Sequence, residues 1–155
     1  MKIYEKLWDR AVVARKPHKL QVGGSNPSPA TKLNKIMARY LESRIQQSCV
    51  KWFRYQYSNI ARLLFAVPNG GSRNRIEASI MKGEGVTAGV SDMILLVPTE
   101  SYSSLCIELK AGKNNQTDLQ KSWQELAEKH GNKYVIVRSF DEFREIIQGY
   151  LSHKI

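Results

Sequence analysis

The chain has 155 residues, two cysteines and a formal net charge of +10, a length that suits one domain with its own hydrophobic core. Cys49 and Cys106 lie among apolar residues and have no C-x-x-C partner, which excludes a disulfide scaffold and predicts reduced core cysteines. The three histidines, His18, His130 and His153, do not have the spacing of zinc ligands. No apolar run is long enough for a signal peptide or a membrane span, so a cytoplasmic protein is expected.

The positive charge is concentrated in the first part of the chain. Residues 1–62 hold 13 Lys and Arg against 3 Asp and Glu, whereas residues 63–155 hold 11 of each. A basic segment beside an acidic cluster favours a polyanionic partner, nucleic acid before membrane, because acids repel phosphate unless a metal ion bridges them. The alternative is that the basic surface only keeps the protein soluble.

Residues 1–31 are predicted to be a basic, disordered arm, because prolines and paired glycines interrupt them and no periodicity is sustained. The run from Gly24 to Pro27 can be encoded by GGTTCGAATCC, the sequence of a tRNA T-arm. The arm is therefore either a DNA-contacting tail or the product of a start site inside a neighbouring tRNA gene, with the natural protein beginning near Met37. Residues 32–155 are predicted to form the folded domain.

A long helix is predicted from Thr31 to about Tyr57. Apolar residues recur on one face at helical spacing: Met37, Leu41, Ile45, Cys49 and Trp52. Glu42 is the only acid in this span and flanks that face. It is either a solvated partner of a neighbouring base, or the helix packs on a sheet and brings Glu42 to a metal site as a ligand or water acceptor.

A strand, a turn and a short helix are predicted next. The strand covers Ala61–Val67 and ends in the turn Pro68–Gly71. The helix covers Asn74–Lys82, with Ile76 and Ile80 facing the core.

Four residues of this region and of a later loop are predicted to contact nucleic acid. Arg73 and Arg75 follow the turn, where the backbone can lie against a phosphate, and Asn69 and Lys113 are assigned to the same surface. The small residues of Gly85–Gly89 are predicted to let a substrate backbone come close.

The stretch Gly89–Lys110 predicts two apolar strands joined by a turn at Pro98–Ser103. Side chains alternate along the second strand, so Glu108 and Lys110 share one face while Leu109 lies on the other.

The register of this hairpin follows from its closing pair. If Val97 pairs with Ser104, paired residue numbers sum to about 201, which sets Asp92 opposite Leu109. Three charged side chains then crowd one end of an apolar hairpin.

Two half-buried carboxylates side by side cost several kcal/mol unless a cation compensates them. A divalent metal held by Asp92 and Glu108, with Lys110 beside it, would supply that cation. The alternative is an ordinary salt bridge at a strand end, in which Lys110 neutralises one acid and solvent covers the other.

Two further helices and one strand are predicted after a polar loop. The first helix turns Leu119, Trp123, Leu126 and Ala127 inward, and Thr117-x-x-Gln120 opens it as a capping box, so Gln120 has either a capping role or a site role.

Lys133–Arg138 is a buried strand, and Ser139-x-x-Glu142 opens the last helix. The order of helix, strand, helix, two strands, helix, strand and helix predicts an α/β domain with a central mixed sheet flanked by helices.

Asp92, followed after 15 residues by Glu108-Leu109-Lys110 and then by a helix carrying Gln120, resembles the PD-(D/E)xK nuclease superfamily. Ser91 stands where the superfamily name has proline, a position that varies.

Further motifs make the chain similar to the VRR-Nuc branch, the virus-type replication-repair nucleases. They are the Pro68–Gly71 turn, the glycines between Gly85 and Gly89, and Gln120-x-x-Trp123. The resemblance spans roughly Glu42 to Leu151.

The resemblance implies a restriction-endonuclease-like αβββαβ core and cleavage of DNA phosphodiesters with Mg²⁺ or Mn²⁺. It makes Asp92, Glu108 and the Leu109 carbonyl metal ligands, with Glu42 as a further acid. It makes Lys110 the catalytic lysine and Gln120 the glutamine that orients water or a ligand. The catalytic residues that the resemblance implies are therefore Asp92, Glu108, Lys110 and Gln120.

The leading hypothesis is a DNA endonuclease selective for branched or flapped DNA in phage or mobile-element replication and repair, in a bacterial host cytoplasm. A homodimer would let one site per chain cut two strands. The competing hypothesis is a non-catalytic nucleic-acid-binding module, and an RNA nuclease is a lesser alternative.

Overall fold

The computed structural model describes residues 28–68 and 75–153. It has the helices and strands α1 (Pro29–Gln56), a short 3₁₀ helix (Ser58–Leu63), β1 (Leu64–Ala66), α2 (Arg75–Gly83), β2 (Met93–Leu95), β3 (Leu105–Leu109), α3 (Asp118–Lys129), β4 (Lys133–Val137) and α4 (Phe140–Leu151). The predicted order is confirmed. The first strand is shorter than expected, because the 3₁₀ helix takes up the beginning of the predicted segment.

Helix α1 starts at a capping motif. The Ser28 side chain accepts a hydrogen bond from the Thr31 backbone N–H, and Pro29 occupies the first turn, where its missing N–H costs nothing. The helix therefore begins at Pro29 rather than Thr31. Residues 1–27 of the predicted arm lie outside the described residues.

The sheet has four strands in the order β1-β2-β3-β4. The pairs β1/β2 and β2/β3 are antiparallel, and β3/β4 is parallel. Helix α3 makes the crossover between the two parallel strands, as a parallel pair requires. The predicted mixed sheet flanked by helices is confirmed, and β3 lies in its interior.

The predicted hairpin register is wrong by one residue. Met93 pairs with Ile107 and Leu95 with Leu105, so paired numbers sum to 200 rather than 201. Extended by one residue, this register sets Asp92 opposite Glu108 instead of Leu109. A slip of one residue exchanges the faces of a strand, so the correction brings the two acids onto the same face of the sheet.

Helices cover both faces of the sheet. On one face, α1 and α4 pack over an apolar core whose fully buried members include Cys49, Phe53, Met93, Leu95, Leu105, Ile107, Leu109, Val137, Phe143, Ile147 and Tyr150. On the other face lie Cys106, Glu108 and Tyr134, with α3 packed on β4 beside them. The face carrying Glu108 is thus the polar one.

Both cysteines are free and buried, which confirms that they are core residues. Burial raises the pKa of the Cys49 thiol to about 12 and also raises the pKa of the Cys106 thiol. Neither thiol is reactive in this state. Within residues 28–68 and 75–153, no helix combines the length and apolar composition needed to span a membrane.

Several helix faces differ from the prediction. Only the second half of α1 reaches the core, through Cys49 and Phe53, so Met37 and Leu41 are exposed. Ile76 of α2 is also exposed, as is Ile80 of the same helix. The apolar spacing is real in both helices, but the part of the chain that the structure describes offers these residues no core to pack against.

Helix α3 is rotated relative to the prediction. Leu119 and Leu126 are exposed, while Gln120, Trp123 and Ala127 turn toward the sheet. The reason is the buried carboxylate of Glu108 on that face, which requires polar partners that leucine cannot supply.

Gly89 allows the loop before β2 to pack directly on α3. Its φ is +88°, and a Cβ at this position would lie 2.5 Å from the Leu119 carbonyl oxygen and 2.7 Å from its carbon. The close neighbour of this glycine is therefore the backbone of α3, where the sequence predicted the backbone of a substrate. This contact sets the distance between α3 and the strand that follows Asp92.

We predict that Gly89→Ala destabilises the protein by about 2 kcal/mol or more, since a left-handed conformation alone costs about 1–2 kcal/mol for an L-residue and the clash adds to it. Urea denaturation gives the free energy of unfolding. Gly83→Ala is the matched control, because its Cβ would meet nothing within 4 Å. Equal stability of the two variants would contradict the packing described.

Candidate active site

The charged residues predicted from the hairpin meet at the carboxyl end of β3. Asp92 directly precedes β2, Glu108 lies within β3 and Lys110 follows β3. Asp92 Oδ2 accepts a hydrogen bond of 2.8 Å from the Leu109 backbone N–H. A main-chain N–H of β3 thus fixes the carboxylate of Asp92 at this end of the strand pair.

Glu108 is almost fully buried, at 1% exposure, and both of its oxygens have hydrogen-bond partners. Oε1 lies 2.9 Å from Lys110 Nζ and also accepts from Gln120 Nε2. Oε2 accepts from the Tyr134 hydroxyl at 3.2 Å. A carboxylate this deep in the protein is held in one orientation by three donors.

Gln120 forms the predicted capping box and also contacts the charged cluster, while its role in the site stays a prediction. Its Oε1 accepts from the Thr117 backbone N–H at 2.9 Å, while Thr117 Oγ1 accepts from the Gln120 backbone N–H, so the capping box is formed. The same Oε1 accepts from Lys110 Nζ at 2.9 Å. The first turn of α3 is therefore fixed to the charged cluster by the residue that caps it.

Glu42 reaches the same end of β3 from the opposite side of the sheet. Its Oε1 accepts a hydrogen bond of 2.8 Å from the Ala111 backbone N–H. The interpretation of Glu42 as a solvated partner of a neighbouring base is thus wrong, because α1 brings it to the strand end. Its role as a metal ligand stays a prediction.

Burial and mutual repulsion disturb the titration of both strand acids. The burial of Glu108 and, after it, the charge of the neighbouring Asp92 raise the pKa of Glu108 to about 7, against the opposing effects of Lys110 and Tyr134. Burial also raises the pKa of Asp92, which the Leu109 N–H and Lys110 oppose and the negative charge of Glu42 reinforces. The positive charge of Lys110 is therefore not enough to bring the pKa of Asp92 or Glu108 back to its ordinary value.

This donor set fits a hard divalent cation. Two carboxylates supply the oxygen ligands that Mg²⁺ prefers and leave room for water and a phosphate oxygen, and the Leu109 carbonyl stays a predicted further ligand. A cation would favour the charged form of both acids, whose pKa values are raised without it. Among the residues that the structure describes, no three His, Cys, Asp or Glu side chains form a ready-made metal cluster.

The residues predicted to contact nucleic acid are not gathered by the described part of the structure. Lys113 is exposed in the turn after β3, which Arg138 holds through a 2.6 Å hydrogen bond from Nη1 to the Gly112 carbonyl. Arg75 begins α2, and its side chain lies outside the described residues, as do Asn69 and Arg73.

Sequence reasoning missed Tyr134, which it counted only as part of an apolar strand. The parallel register pairs Cys106 with Tyr134 and Glu108 with Ile136, so Tyr134 lies on the polar face of the sheet. Burial raises the pKa of Tyr134, and the charge of Glu108 raises it further, so the hydroxyl stays protonated and donates to Glu108. The sequence signal that could have found it is a tyrosine in the strand predicted after the strand that carries Glu108 and Lys110.

A mixed sheet with an acid before one strand, an acid and a lysine at the end of the next, and a glutamine from the following helix defines the PD-(D/E)xK class of nuclease fold. A family model for the VRR-NUC domain matches residues 28–141. The chain therefore belongs to the VRR-NUC domain family, which is of the nuclease type.

A solved structure described as a VRR_NUC domain protein is similar to this chain, with 27% sequence identity and a TM-score of 0.63. The match covers 72% of this chain and 88% of that one. A search of curated proteins finds no match.

We predict that the stability of the metal-free protein falls as pH rises from about 4.5 to about 7 and then levels off. Glu108 has a pKa of about 7 when folded and 4.5 as its reference value, so the folded state binds more protons between these values and loses that advantage as the pH rises. The fall from this group is up to about 3 kcal/mol. The free energy of unfolding, measured in a chelator from pH 5 to 8, tests it.

Glu108→Gln keeps a hydrogen-bonding side chain that cannot ionise, so its stability curve should be flatter by the same amount. Glu125→Gln, at an exposed position of α3, is the matched control and should follow the wild-type curve. If the Glu108→Gln and wild-type curves run parallel, Glu108 does not carry the raised pKa.

Proposed function

We propose that this protein is a metal-dependent DNA endonuclease that hydrolyses phosphodiester bonds. The observation that carries the proposal is the cluster of half-buried Asp92 with buried Glu108 and Lys110 at the ends of two adjacent strands. A salt bridge kept only for stability would not need a second carboxylate that raises the pKa of the first.

Asp92, Glu108 and the Leu109 carbonyl would hold Mg²⁺ or Mn²⁺, with Glu42 near enough to act on the same ion or on its water. When bound, the ion supplies Lewis-acid polarisation of the scissile phosphate and a nucleophilic water at neutral pH. Tyr134 and Gln120 fix the orientation of the Glu108 carboxylate, so that this side chain needs little reorganisation when the metal ion binds.

Lys110 is the cationic residue of the proposed site. Its ammonium offsets the negative charge that builds up on the phosphoryl oxygens in the transition state, in which the attacking and leaving oxygens lie in line. Gln120 accepts from that ammonium at 2.9 Å and limits where it can move. The lysine is 9% exposed, which places its charge in a poorly solvated environment where it acts strongly.

The proposed substrate is DNA of branched, junction or flap structure, cut during phage or mobile-element replication and repair in a bacterial cytoplasm. The basic α1 supports a polyanionic substrate. The exposed apolar side chains of Met37, Tyr40 and Leu41 support a homodimer, which would place two cleavage sites on one substrate.

The test incubates purified protein with labelled junction, flap, duplex and single-stranded DNA in Mg²⁺, Mn²⁺ or EDTA, and sedimentation of the same sample gives its oligomeric state. We predict metal-dependent cleavage that Asp92→Ala or Lys110→Ala reduces by at least about 10³-fold, because each removes a group that acts on the transition state. DNA binding by both variants should be largely retained.

Asp118→Ala and Lys121→Ala are matched controls. These residues form an exposed ion pair on α3, 3.6 Å apart, and their loss should leave cleavage unchanged. Normal turnover by Asp92→Ala would refute the assignment. Salt-sensitive DNA binding with no products in either metal would favour a binding module instead.

A further inference from the structure

A second surface with nucleic-acid character lies at the end of α1, away from the charged cluster. Ser48, Lys51, Trp52, Arg54, Tyr55 and Phe140 line a hollow between α1 and the first residue of α4, called here the Tyr55 surface. Tyr55 follows Glu42 by 13 residues on the same helix, which puts it roughly 20 Å farther along the axis. It is therefore separate from the proposed cleavage site.

Tyr55 is the most exposed large apolar side chain of this surface. Its ring is 88% exposed, and in the described residues it contacts no other aromatic ring. Trp52 beside it is fixed, with edge-on contacts to Tyr57, Phe140 and Phe143 at ring-centre distances of 5.7, 6.1 and 6.0 Å. The surface therefore combines a rigid aromatic floor with one projecting ring.

The charge around Tyr55 is positive. Lys51 and Arg54 line this hollow and also a neighbouring one along α1. Within residues 28–68 and 75–153, neither cation forms an ion pair. The nearest acid in sequence to Phe140 is Asp141, whose carboxylate is paired with Arg144 at 3.4 Å.

We propose that the Tyr55 surface binds an unpaired segment of single-stranded DNA, with a base stacked on Tyr55 and phosphates held by Lys51 and Arg54. An exposed aromatic ring between cations matches the alternation of bases and phosphates along a single strand. The same ring has no partner in a duplex, whose bases are already stacked and paired.

This inference deepens the proposed function and rests on it for one point only, that the bound strand belongs to the substrate. The unpaired arm of a branched DNA would lie along α1 while the duplex lies at Asp92 and Glu108. The basic side chains of α1 between Glu42 and Tyr55, which are Arg44, Lys51 and Arg54, would line its path.

The test measures binding in EDTA by fluorescence anisotropy, so that no cleavage is needed. Two duplexes are compared, one blunt and one with a ten-nucleotide unpaired tail, a length within the site sizes of about 4–16 nucleotides known for single-strand sites. The wild-type protein should bind the tailed duplex more tightly. Tyr55→Ala should lose about tenfold in affinity for the tailed duplex, the effect of one stacked base, and little for the blunt one.

A duplex whose unpaired tail has the same length but is abasic separates the contribution of base stacking to the affinity from that of phosphate charge. Tyr55→Ala should not weaken binding of that tail any further. The double variant Lys51→Gln/Arg54→Gln should weaken binding of both tails and lower the slope of log affinity against log salt by about 1.4, since each phosphate contact on a single strand contributes about 0.7.

Leu126→Ala, on α3, and Lys32→Gln/Lys35→Gln, at the start of α1, are matched controls outside the Tyr55 surface, and Leu126 is 55% exposed. The proposal is overturned if tailed and blunt duplexes bind equally, or if Leu126→Ala loses as much affinity as Tyr55→Ala. It is also overturned if Tyr55→Ala abolishes self-association of the protein, since the surface would then be covered by a second copy. Absence of cleavage with intact tail binding would refute the nuclease proposal alone.

Discussion

The structure depends on one constraint, the placing of a buried carboxylate, Glu108, beside a half-buried one, Asp92, at the same end of two adjacent strands. Water is largely excluded from Glu108, and Asp92 lies beside it, so each charge disfavours the other. Three donors hold Glu108, namely Lys110 just after β3, Tyr134 of β4 and Gln120 of α3, and a main-chain N–H of β3 holds Asp92. A protein that needed only stability would gain by replacing such a pair with apolar residues, which is why the cluster indicates chemistry.

The surrounding fold is arranged to keep that cluster in place. Gly89 lets α3 approach the strand that follows Asp92 without an intervening side chain. Gln120 then uses one oxygen to cap α3 and to hold Lys110, so the start of the helix and the position of the ammonium are fixed together. From the other face, Glu42 ties α1 to the backbone just beyond β3. Stability and site geometry are thus coupled through the same few hydrogen bonds.

The sequence was sufficient for the order of helices and strands, the mixed sheet and the grouping of Asp92, Glu108, Lys110 and Gln120. The order, the sheet and the grouping of the three charged residues follow from local patterns: alternating apolar runs, a capping box, and acids at strand ends. The place of Gln120 followed from the family resemblance, because its capping box left the choice open. The hairpin register was predicted one residue out, because the wide turn between β2 and β3 has no tight signature that fixes a closing pair.

Other features depend on contacts that periodicity does not encode. Leu119 and Leu126 have helical spacing suited to a core, yet both are exposed and α3 turns Gln120 to the sheet, where Glu108 is buried. Tyr134 reads as an apolar strand residue until the parallel register places it beside Glu108. In both cases the deciding fact is what lies across the sheet, which a single segment cannot reveal.

The most direct measurement of the central claim is the anomalous scattering of Mn²⁺ in a crystal of the protein. A divalent ion compensating the two acids should give one strong peak about 2.0–2.2 Å from carboxylate oxygens of Asp92 and Glu108, with the Leu109 carbonyl completing the protein ligands. The same crystals of Asp92→Asn should lack the peak. A Mn²⁺ peak elsewhere, or none while Glu108 stays paired with Lys110, would contradict the account.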